Sequence, residues 1–224
     1  MMGGDFEIAI VGAGGIGSQL AWALLPAIHR GCLVESIGPI KVRMFVSDVV
    51  SEGNISHQRF AASQVGRTKV ESLRDSLAEF ECGLLSIQAC PWDISTTEDM
   101  GNPSIVVVGV DSPTARLAVH GSMVPWLDLR CVGDSFIALD SRMGEESISS
   151  LTNEIQPSGS CQMEGAIESG NIQFGHMAAA AHGAQWVVQQ LRLMDGQDGV
   201  LPPLPKSSSI TFGTLERMSV LATN

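Results

Sequence analysis

A glycine-rich turn that directly follows a short, mostly apolar segment constrains the fold of this chain more than any other feature. Residues 6–11 lead into GAGGIG, in which Gly12, Gly14 and Gly17 have the spacing G-x-G-x-x-G. Only glycine lets the backbone turn so sharply and lets a phosphate approach it closely, and a helix that starts there presents free N–H groups to an anion. The segment therefore predicts the first strand, turn and helix of a nucleotide-binding βαβ unit. The motif by itself does not distinguish NAD, FAD and ATP.

Segments with the composition of strands alternate with segments of helical spacing along the chain. Residues 105–110, for example, are an almost continuous run of isoleucine and valine, which is typical of a parallel strand covered on both faces. The alternation predicts right-handed crossovers and hence an α/β fold, a Rossmann-like, doubly wound, mostly parallel sheet with helices on both faces. The predicted strands are residues 6–11, 41–46, 84–89, 105–110 and 136–140, and the predicted helices are residues 16–28, 69–80, 113–124 and 176–193.

The second half of the chain has a less regular pattern. Residues 145–169 are polar and predict a long loop, and residues 195–209 are rich in Gly, Pro and Ser and predict a linker. We therefore expect one nucleotide-binding Rossmann domain over residues 1–194, followed by a linker and a short C-terminal segment over residues 195–224.

Composition excludes several classes of protein. The net charge of −11 argues against binding to a nucleic-acid backbone. No apolar run reaches the ~18 to 20 residues that span a bilayer, and the N-terminus lacks the features of a signal peptide, so we expect a cytoplasmic protein with no membrane partner. The five cysteines include no C-x-x-C pair, which favours reduced thiols and predicts no structural zinc site.

Three blocks of sequence, in order, resemble the ThiF/MoeB-type adenylyltransferases of the ubiquitin-activating-enzyme superfamily. The first block is GAGGIG. The second, residues 46–69, resembles the signature D-x-D-x-V-x-x-S-N-L-x-R-Q followed by V-G-x-x-K at a helix start, and the third, VVVGVDSPTARLAV, resembles the strand that ends in D-x-x-x-x-R. A weaker likeness to short bacterial and phage-type ThiF proteins covers residues 157–191. The matching residues of the second and third blocks are Asp48, Val50, Asn54, Ile55, Gln58, Val65, Gly66, Lys69, Asp111 and Arg116.

The resemblance implies a reaction. Its members bind ATP with Mg²⁺ and adenylate the C-terminal glycine carboxylate of a small ubiquitin-like or sulfur-carrier protein, generally as homodimers. Two anions meet in this step, so cations and a metal ion are needed at the phosphates. The resemblance gives Lys69 the role of neutralising phosphate charge and Asp111 that of holding Mg²⁺. The implied nucleotide-binding residues are Gly12, Gly14, Gly15, Gly17, Asp48, Asn54, His57, Gln58, Lys69 and Arg116.

Two positions depart from the family pattern. The first acidic residue of D-x-D, which grips the ribose hydroxyls in the family, falls on Val46, and the arginine of N-L-x-R-Q falls on His57. Asp48 lies on the same face of the strand as Val46 and is a candidate for the ribose contact. Arg59 is a candidate replacement for the missing cation.

These departures leave two alternative functions open. A non-catalytic partner subunit would explain the loss of both family residues. A nicotinamide- or flavin-dependent oxidoreductase would explain the glycine turn and Asp48, but it leaves Asn54, Lys69 and Asp111 without a role.

Cys161 is a further candidate for chemistry. It lies in the polar segment downstream of Asp111, where family members carry their crossover segment, and is a candidate nucleophile or persulfide carrier, with an ordinary free thiol as the alternative. A nucleophilic thiol must ionise near neutral pH, and the neighbours of Cys161 in sequence provide no cation, so its activation has to come from elsewhere in the fold.

Overall fold

The computed structural model describes residues 6–152, 161–202, 206–211 and 214–218. The strands are β1 (Phe6–Val11), β2 (Ile40–Phe45), β3 (Leu85–Cys90), β4 (Ile105–Val108), β5 (Trp126–Val132), β6 (Ser135–Asp140), β7 (Lys206–Thr211) and β8 (Thr214–Met218), and the helices are α1 (Gly15–His29), α2 (Cys32–Ile37), α3 (Lys69–Leu77), α4 (Pro113–His120), α5 (Glu145–Thr152) and α6 (Gly175–Met194).

These strands form one sheet in the order β3-β2-β1-β4-β5-β6-β7-β8. The pairs from β3 to β5 are parallel, whereas β6, β7 and β8 are added antiparallel. The strand order reverses between β1 and β4, and in open α/β sheets ligands bind in the crevice at the carboxyl ends of the strands beside such a reversal. The predicted Rossmann-like, mostly parallel sheet is confirmed.

Alternating residues of β1 divide the hydrophobic core into two layers. Ile8 and Ile10 pack on the face covered by α1, α3 and α6, whereas Ala9 and Val11 pack on the face covered by α4. Trp186 of α6 is fully buried, and its indole N–H donates to the Asp140 carboxylate at 2.9 Å. Helices therefore cover both faces of the sheet. Among the described residues, no helix combines the length and apolar composition needed to cross a membrane.

Small residues let α1 and α6 approach the sheet and each other closely. A Cβ on Gly17 would lie 1.9 Å from the carbonyl oxygen of Gly12, and a Cβ on Gly183 would lie 2.7 Å from a methyl carbon of Leu129. Ala179 and Ala180 are fully buried in the same layer. These contacts fix the N-terminus of α1 at the carboxyl end of β1.

The structure differs from the sequence prediction in several places, and among them are α2 and β8, which were not predicted. Residues 145–152 form α5 rather than the start of a loop, while residues 153–160 of the same predicted loop lie outside the described residues. The strand β5 was not predicted, because Asp128 and Arg130 interrupt its apolar run. The predicted linker over residues 195–209 is wrong for residues 206–209, which belong to β7 and pair with β6.

The contact between Gly17 and Gly12 leads to a stability prediction. We expect Gly17→Ala to lower the free energy of unfolding by about 2 kcal/mol or more, because the added methyl group has no space beside the Gly12 carbonyl. Gly14→Ala is the matched control, since a Cβ there meets no atom within 4 Å, and we expect a loss of about 1 kcal/mol or less. Urea unfolding followed by circular dichroism measures both; equal stabilities would contradict the prediction.

Candidate functional site

A cleft of about 680 Å³ opens at the carboxyl ends of the parallel strands, where the strand order reverses. The glycine turn forms one wall, the segment between β2 and α3 forms a second, and the ends of β4 and β5 form a third. The predicted site residues that line this cleft are Gly12, Gly14, Gly15, Asp48, Asn54, His57, Gln58, Lys69, Asp111, Arg116 and Cys161. Gly17, the remaining predicted residue, contributes through the packing of α1 instead.

The glycines of the turn have different physical roles. Gly12 has φ +107°, a conformation that L side chains rarely adopt, and a Cβ there would lie 2.7 Å from a methyl group of Val110. Gly14 faces open space, so a ligand can approach its backbone closely. The carbonyl of Gly14 accepts the N–H of Ser18 at 3.0 Å, which starts the hydrogen bonding of α1 beside the cleft. The turn therefore presents a helix N-terminus to any anion bound here.

Backbone pairing brings Lys69 into the cleft. The chain after β2 folds back on itself, so that the Val50 N–H donates to the Arg67 carbonyl and the Lys69 N–H to the Asp48 carbonyl, both at 2.9 Å. The Thr68 hydroxyl then accepts the N–H of Glu71 and caps α3. Lys69 is therefore the first residue of α3.

An ion pair joins two of the predicted site residues. Lys69 Nζ lies 2.7 Å from Asp48 Oδ2, with 10% of the lysine side chain and 58% of the aspartate side chain exposed. The buried ammonium group is held in a fixed position by an exposed carboxylate. Asp48 therefore holds the ammonium group of Lys69 in place, and one of its two carboxylate oxygens is used in this ion pair.

Two amide side chains lie beside the ion pair. The Asn54 side-chain oxygen accepts the Ser51 N–H at 2.9 Å, which leaves the amide nitrogen as the end of the side chain available to a ligand. Gln58 Oε1 is buried and has no hydrogen-bond partner among the described residues, while its Nε2 lies 3.3 Å from His57 Nε2. A 180° rotation of this amide would give His57 an acceptor and place the donor nitrogen at the unpaired position. An unpaired buried polar atom at this position favours a ligand-binding role.

His57 is a neutral hydrogen-bonding group rather than a cation. Burial lowers the pKa of its imidazole, and the positive charge of Lys69 lowers the pKa further. Arg59 does not replace it: its Nε donates to Gln19 at 3.0 Å, its guanidinium lies over the Trp22 ring, and it is not among the residues that line the cleft. The expectation that Arg59 substitutes for the family arginine is therefore wrong, because Arg59 points to the outer surface of α1.

Asp111 follows β4 and is exposed at the rim of the cleft. The Ser112 hydroxyl, not Asp111, accepts the Ala115 N–H and caps α4, so the Asp111 carboxylate is not used as a cap. No group of three or more His, Cys, Asp or Glu residues suited to a metal ion occurs in the part of the chain that the structure describes. Mg²⁺ in nucleotide sites commonly uses one or two carboxylates together with water and phosphate oxygens, so a single carboxylate fits this ion.

A buried charge cluster that the sequence analysis missed lies under the far wall of the cleft. Asp128 on β5 is fully buried and accepts from Arg130 at 2.7 and 3.1 Å, while His120 Nε2 lies 3.1 Å and Arg116 Nε 3.6 Å from its carboxylate. Burial alone would raise the pKa of Asp128, but the hydrogen bond with His120 and the arginine charges outweigh it and lower the pKa. The cluster positions Arg116 and Arg130, which both line the cleft. The feature of the sequence that could have revealed this cluster is the presence of Asp128 and Arg130, two residues apart, within an apolar run.

Cys161 lies against the N-terminus of α1. Its sulfur is 3.2 Å from the position that a Cβ on Gly15 would occupy. A hydrogen bond with the Cys131 thiol and another with the Ile16 N–H lower the pKa of Cys161 against the opposing effect of burial, whereas the pKa of Cys131 is raised by the same bond and by burial. The fold therefore provides hydrogen bonds that favour ionisation of the Cys161 thiol, which its neighbours in sequence do not provide.

Comparison with known proteins adds a family and a fold. The model of the ThiF family matches residues 4–189. Ubiquitin-like modifier-activating enzyme 5 from Caenorhabditis briggsae is 25% identical to this chain over 167 residues, which are 68% of this chain and 34% of that protein. The chain therefore spans about a third of the length of this curated relative.

Solved structures of similar fold include PaaA and Escherichia coli MccB. PaaA has a TM-score of 0.64 at 17% identity, and the match covers 96% of this chain and 64% of PaaA. MccB solved with ATP has a TM-score of 0.60 at 17% identity, covering 96% of this chain and 63% of MccB. At this level of identity the likeness establishes the fold, and this chain spans less than two thirds of either protein.

The Asp128 cluster leads to a prediction about stability. We expect Asp128→Asn to lower the free energy of unfolding by roughly 3–5 kcal/mol at pH 7, because it leaves buried cations without their counter-charge. The matched control is Asp75→Asn, which breaks an ion pair with Arg67 in which both side chains are nearly half exposed, and should cost about 1 kcal/mol or less. Urea unfolding measures both, and equal small losses would contradict the prediction.

The same prediction has a defined pH dependence. Because the pKa of Asp128 is lowered on folding, its stabilisation is fully present above the unfolded aspartate pKa of about 3.9 and is lost as the pH falls through the lower folded value. The difference between wild type and Asp128→Asn should therefore narrow below about pH 4. A difference that widens in acid would contradict the assignment.

Proposed function

This chain belongs to the ThiF family, and we propose that it binds ATP with Mg²⁺ and adenylates the C-terminal glycine carboxylate of a small ubiquitin-like or sulfur-carrier protein. One observation carries the proposal. The glycine turn, Lys69, Gln58 and Asp111 come from separate parts of the sequence, yet all of them line one cleft at the point where the strand order reverses. An oxidoreductase would require the turn but not the other three.

The cleft has the groups that the reaction requires. A carboxylate oxygen attacks the α-phosphorus of ATP, the bond from that phosphorus to the bridging oxygen breaks, and pyrophosphate leaves. The N-terminus of α1 and the buried ammonium of Lys69 stabilise the negative charge of the phosphates in a partly enclosed site. Mg²⁺ held at Asp111 supplies further neutralisation when it is bound.

The incoming carboxylate would approach from the side of β4 and β5. Arg116 and Arg130 line that side, and the buried Asp128 carboxylate holds both guanidinium groups in place. Fixed cations lower the cost of bringing a second anion next to the triphosphate. The carrier terminus therefore has a docking position that is separate from the phosphate site.

The named relatives support the reaction class. The curated relative is an activating enzyme for a ubiquitin-like modifier, and MccB has been solved with ATP and, separately, with AMPCPP and MccA. We further propose that the chain acts as a homodimer, as the family resemblance implies, and that it acts in the cytoplasm.

A second candidate function is a non-catalytic subunit that keeps the family fold. Val46 in place of a ribose-gripping acid and a neutral His57 in place of an arginine favour it. Both candidate proteins would bind a nucleotide in the same cleft, so binding does not separate them. Activity measurements do.

We predict that the wild-type chain binds ATP with Mg²⁺ and does not bind NAD, and that Lys69→Ala and Asp111→Ala each reduce pyrophosphate–ATP exchange by about 100-fold or more. This is the size of effect expected when a preorganised charge partner of the transition state is lost. Binding is measured by calorimetry, and exchange is measured in the presence of a small carrier protein that ends in Gly-Gly.

Two exposed charges that do not line the cleft are the matched controls. Arg67→Ala removes a cation two residues from Lys69, and Glu98→Ala removes an exposed carboxylate, and both should retain wild-type exchange. Unchanged exchange in both Lys69→Ala and Asp111→Ala would overturn the residue assignment. ATP binding without exchange for any carrier would favour the non-catalytic subunit, and NAD binding without ATP binding would favour an oxidoreductase.

Cys161 is proposed as the nucleophile that captures the acyl group from the adenylate, and this leads to a two-step prediction. Cys161→Ala should retain adenylation, because its thiol acts after pyrophosphate has left, but it should lose the thioester, seen on a non-reducing gel, that forms when the Cys161 thiolate attacks the acyl carbon and displaces AMP. Cys82→Ala, which removes an exposed thiol outside the cleft lining, should keep that species. A covalent species that persists in Cys161→Ala would reduce Cys161 to an ordinary thiol.

A further inference from the structure

We propose that Asp93 accepts the hydrogen bonds of the nucleotide's ribose hydroxyls, in place of an acidic residue at the end of β2. The inference rests on the proposed function in one respect, since it takes the ligand of the cleft to be ATP. Asp93 belongs to none of the sequence blocks that indicated the nucleotide site.

The position at the end of β2 that usually carries the ribose-binding acid has no carboxylate here. In dinucleotide-type folds an acidic residue at this strand end accepts hydrogen bonds from the ribose. Here Val46 lines the cleft at that position, and it is only 9% exposed. Asp48, two residues further, lies 2.7 Å from the ammonium of Lys69. One oxygen of Asp48 is committed to Lys69, so a carboxylate fixed beside Val46 is the stronger candidate for the sugar contact.

The neighbouring strand supplies one. Strands β2 and β3 are parallel, and Phe45 pairs with Cys90, so their carboxyl ends meet at the same edge of the sheet. Asp93 lies just beyond Cys90. Its Oδ1 accepts the Ser47 N–H at 3.0 Å and its Oδ2 accepts the Ser47 hydroxyl at 2.6 Å. Ser47 directly follows Val46, so the carboxylate of Asp93 is fixed against the strand end where the acidic residue is missing.

The carboxylate has both the capacity and the exposure to accept more hydrogen bonds. An ionised carboxylate has about four lone-pair sites, and the two bonds from Ser47 use two of them. Asp93 is exposed and lines the cleft. An acid fixed in this way keeps its orientation when a ligand arrives, so hydrogen bonds from hydroxyl groups form without a large ordering cost.

The distribution of side chains in the cleft separates a nucleoside end from a phosphate end. Val46 and Ile94 give the β2–β3 side an apolar character next to Asp93, whereas the glycine turn, which begins α1, follows β1. A carboxylate beside a triphosphate would repel it, but beside a sugar it meets hydroxyl donors. The position of Asp93 therefore matches the ribose rather than the phosphates.

The experiment compares ATP with 2′-deoxy-ATP and 3′-deoxy-ATP by calorimetry on the full chain in the presence of Mg²⁺. We expect the wild type to bind ATP about tenfold or more tightly than at least one deoxy analogue, because a hydrogen bond to a charged group is lost. Asp93→Ala should bind ATP as weakly as that analogue, so that the ratio falls to about one or two. Asp93→Asn, which keeps one acceptor oxygen for Ser47, should give an intermediate ratio. Glu98→Ala should keep the wild-type ratio.

The outcomes distinguish this inference from the proposed function. If Asp93→Ala binds all three nucleotides more weakly by the same factor, Asp93 has only a structural role and the inference is overturned. Equal binding of ATP and both analogues by the wild type also overturns it, while ATP recognition by the cleft stands. If the folded wild type does not bind ATP, the proposed function fails and the inference fails with it.

Discussion

The contact between Gly17 and the carbonyl of Gly12 is the constraint on which the rest of the site depends. A Cβ on Gly17 would lie only 1.9 Å from that oxygen, so α1 can begin directly above the end of β1 because residue 17 is a glycine. The N–H groups of its first turn then face the point where the strand order reverses, and they carry the positive end of the helix dipole. The proposed phosphate position and the sulfur of Cys161 are both set by this helix N-terminus. The tight packing of α6 on α1 keeps the helix in that place.

The side chains that line the cleft follow one another in the order of the strands in the sheet. Asp93 stands beyond β3, Val46 beyond β2, the glycine turn beyond β1, Asp111 beyond β4, and the pair Arg130 and Cys131 on β5. An extended nucleotide laid across these ends meets an acceptor first, then helix N–H groups, then a carboxylate suited to Mg²⁺. Cys131 and Cys161, which are hydrogen-bonded to each other, lie on the β5 side. Sheet topology thus sets the order in which these groups lie along the cleft.

The sequence predicted those parts of the fold and site that depend on local signals. The glycine turn, the helix start at Lys69 and the strand end at Asp111 are short motifs, and the structure brings all three to one cleft. Asp128 and Arg130 were missed because they become acceptable in a buried strand only through each other and through residues of α4, which no local pattern shows. The placement of Arg59 was wrong because the register of the loop is set by backbone pairing between residues 48–50 and 66–69. The proposal for Asp93 could not come from the sequence, because its partner, Ser47, comes from another strand end.

The charged side chains that line the cleft are largely paired within the protein. Lys69 is paired with the exposed Asp48, so its positive charge is only partly available to a ligand. Burial of the His57 imidazole, together with the positive charge of Lys69, lowers the pKa of His57, so this residue does not add a second cation. Arg116 and Arg130 share Asp128. The lining therefore has little net positive charge of its own, and a triphosphate in it depends on the dipole of α1 and on a divalent cation for neutralisation. Side chains that are already held in place lose little entropy when a ligand binds. If the cleft binds ATP as proposed, its selectivity depends on its hydrogen-bonding groups, which are Gln58, Asn54 and the carboxylate of Asp93.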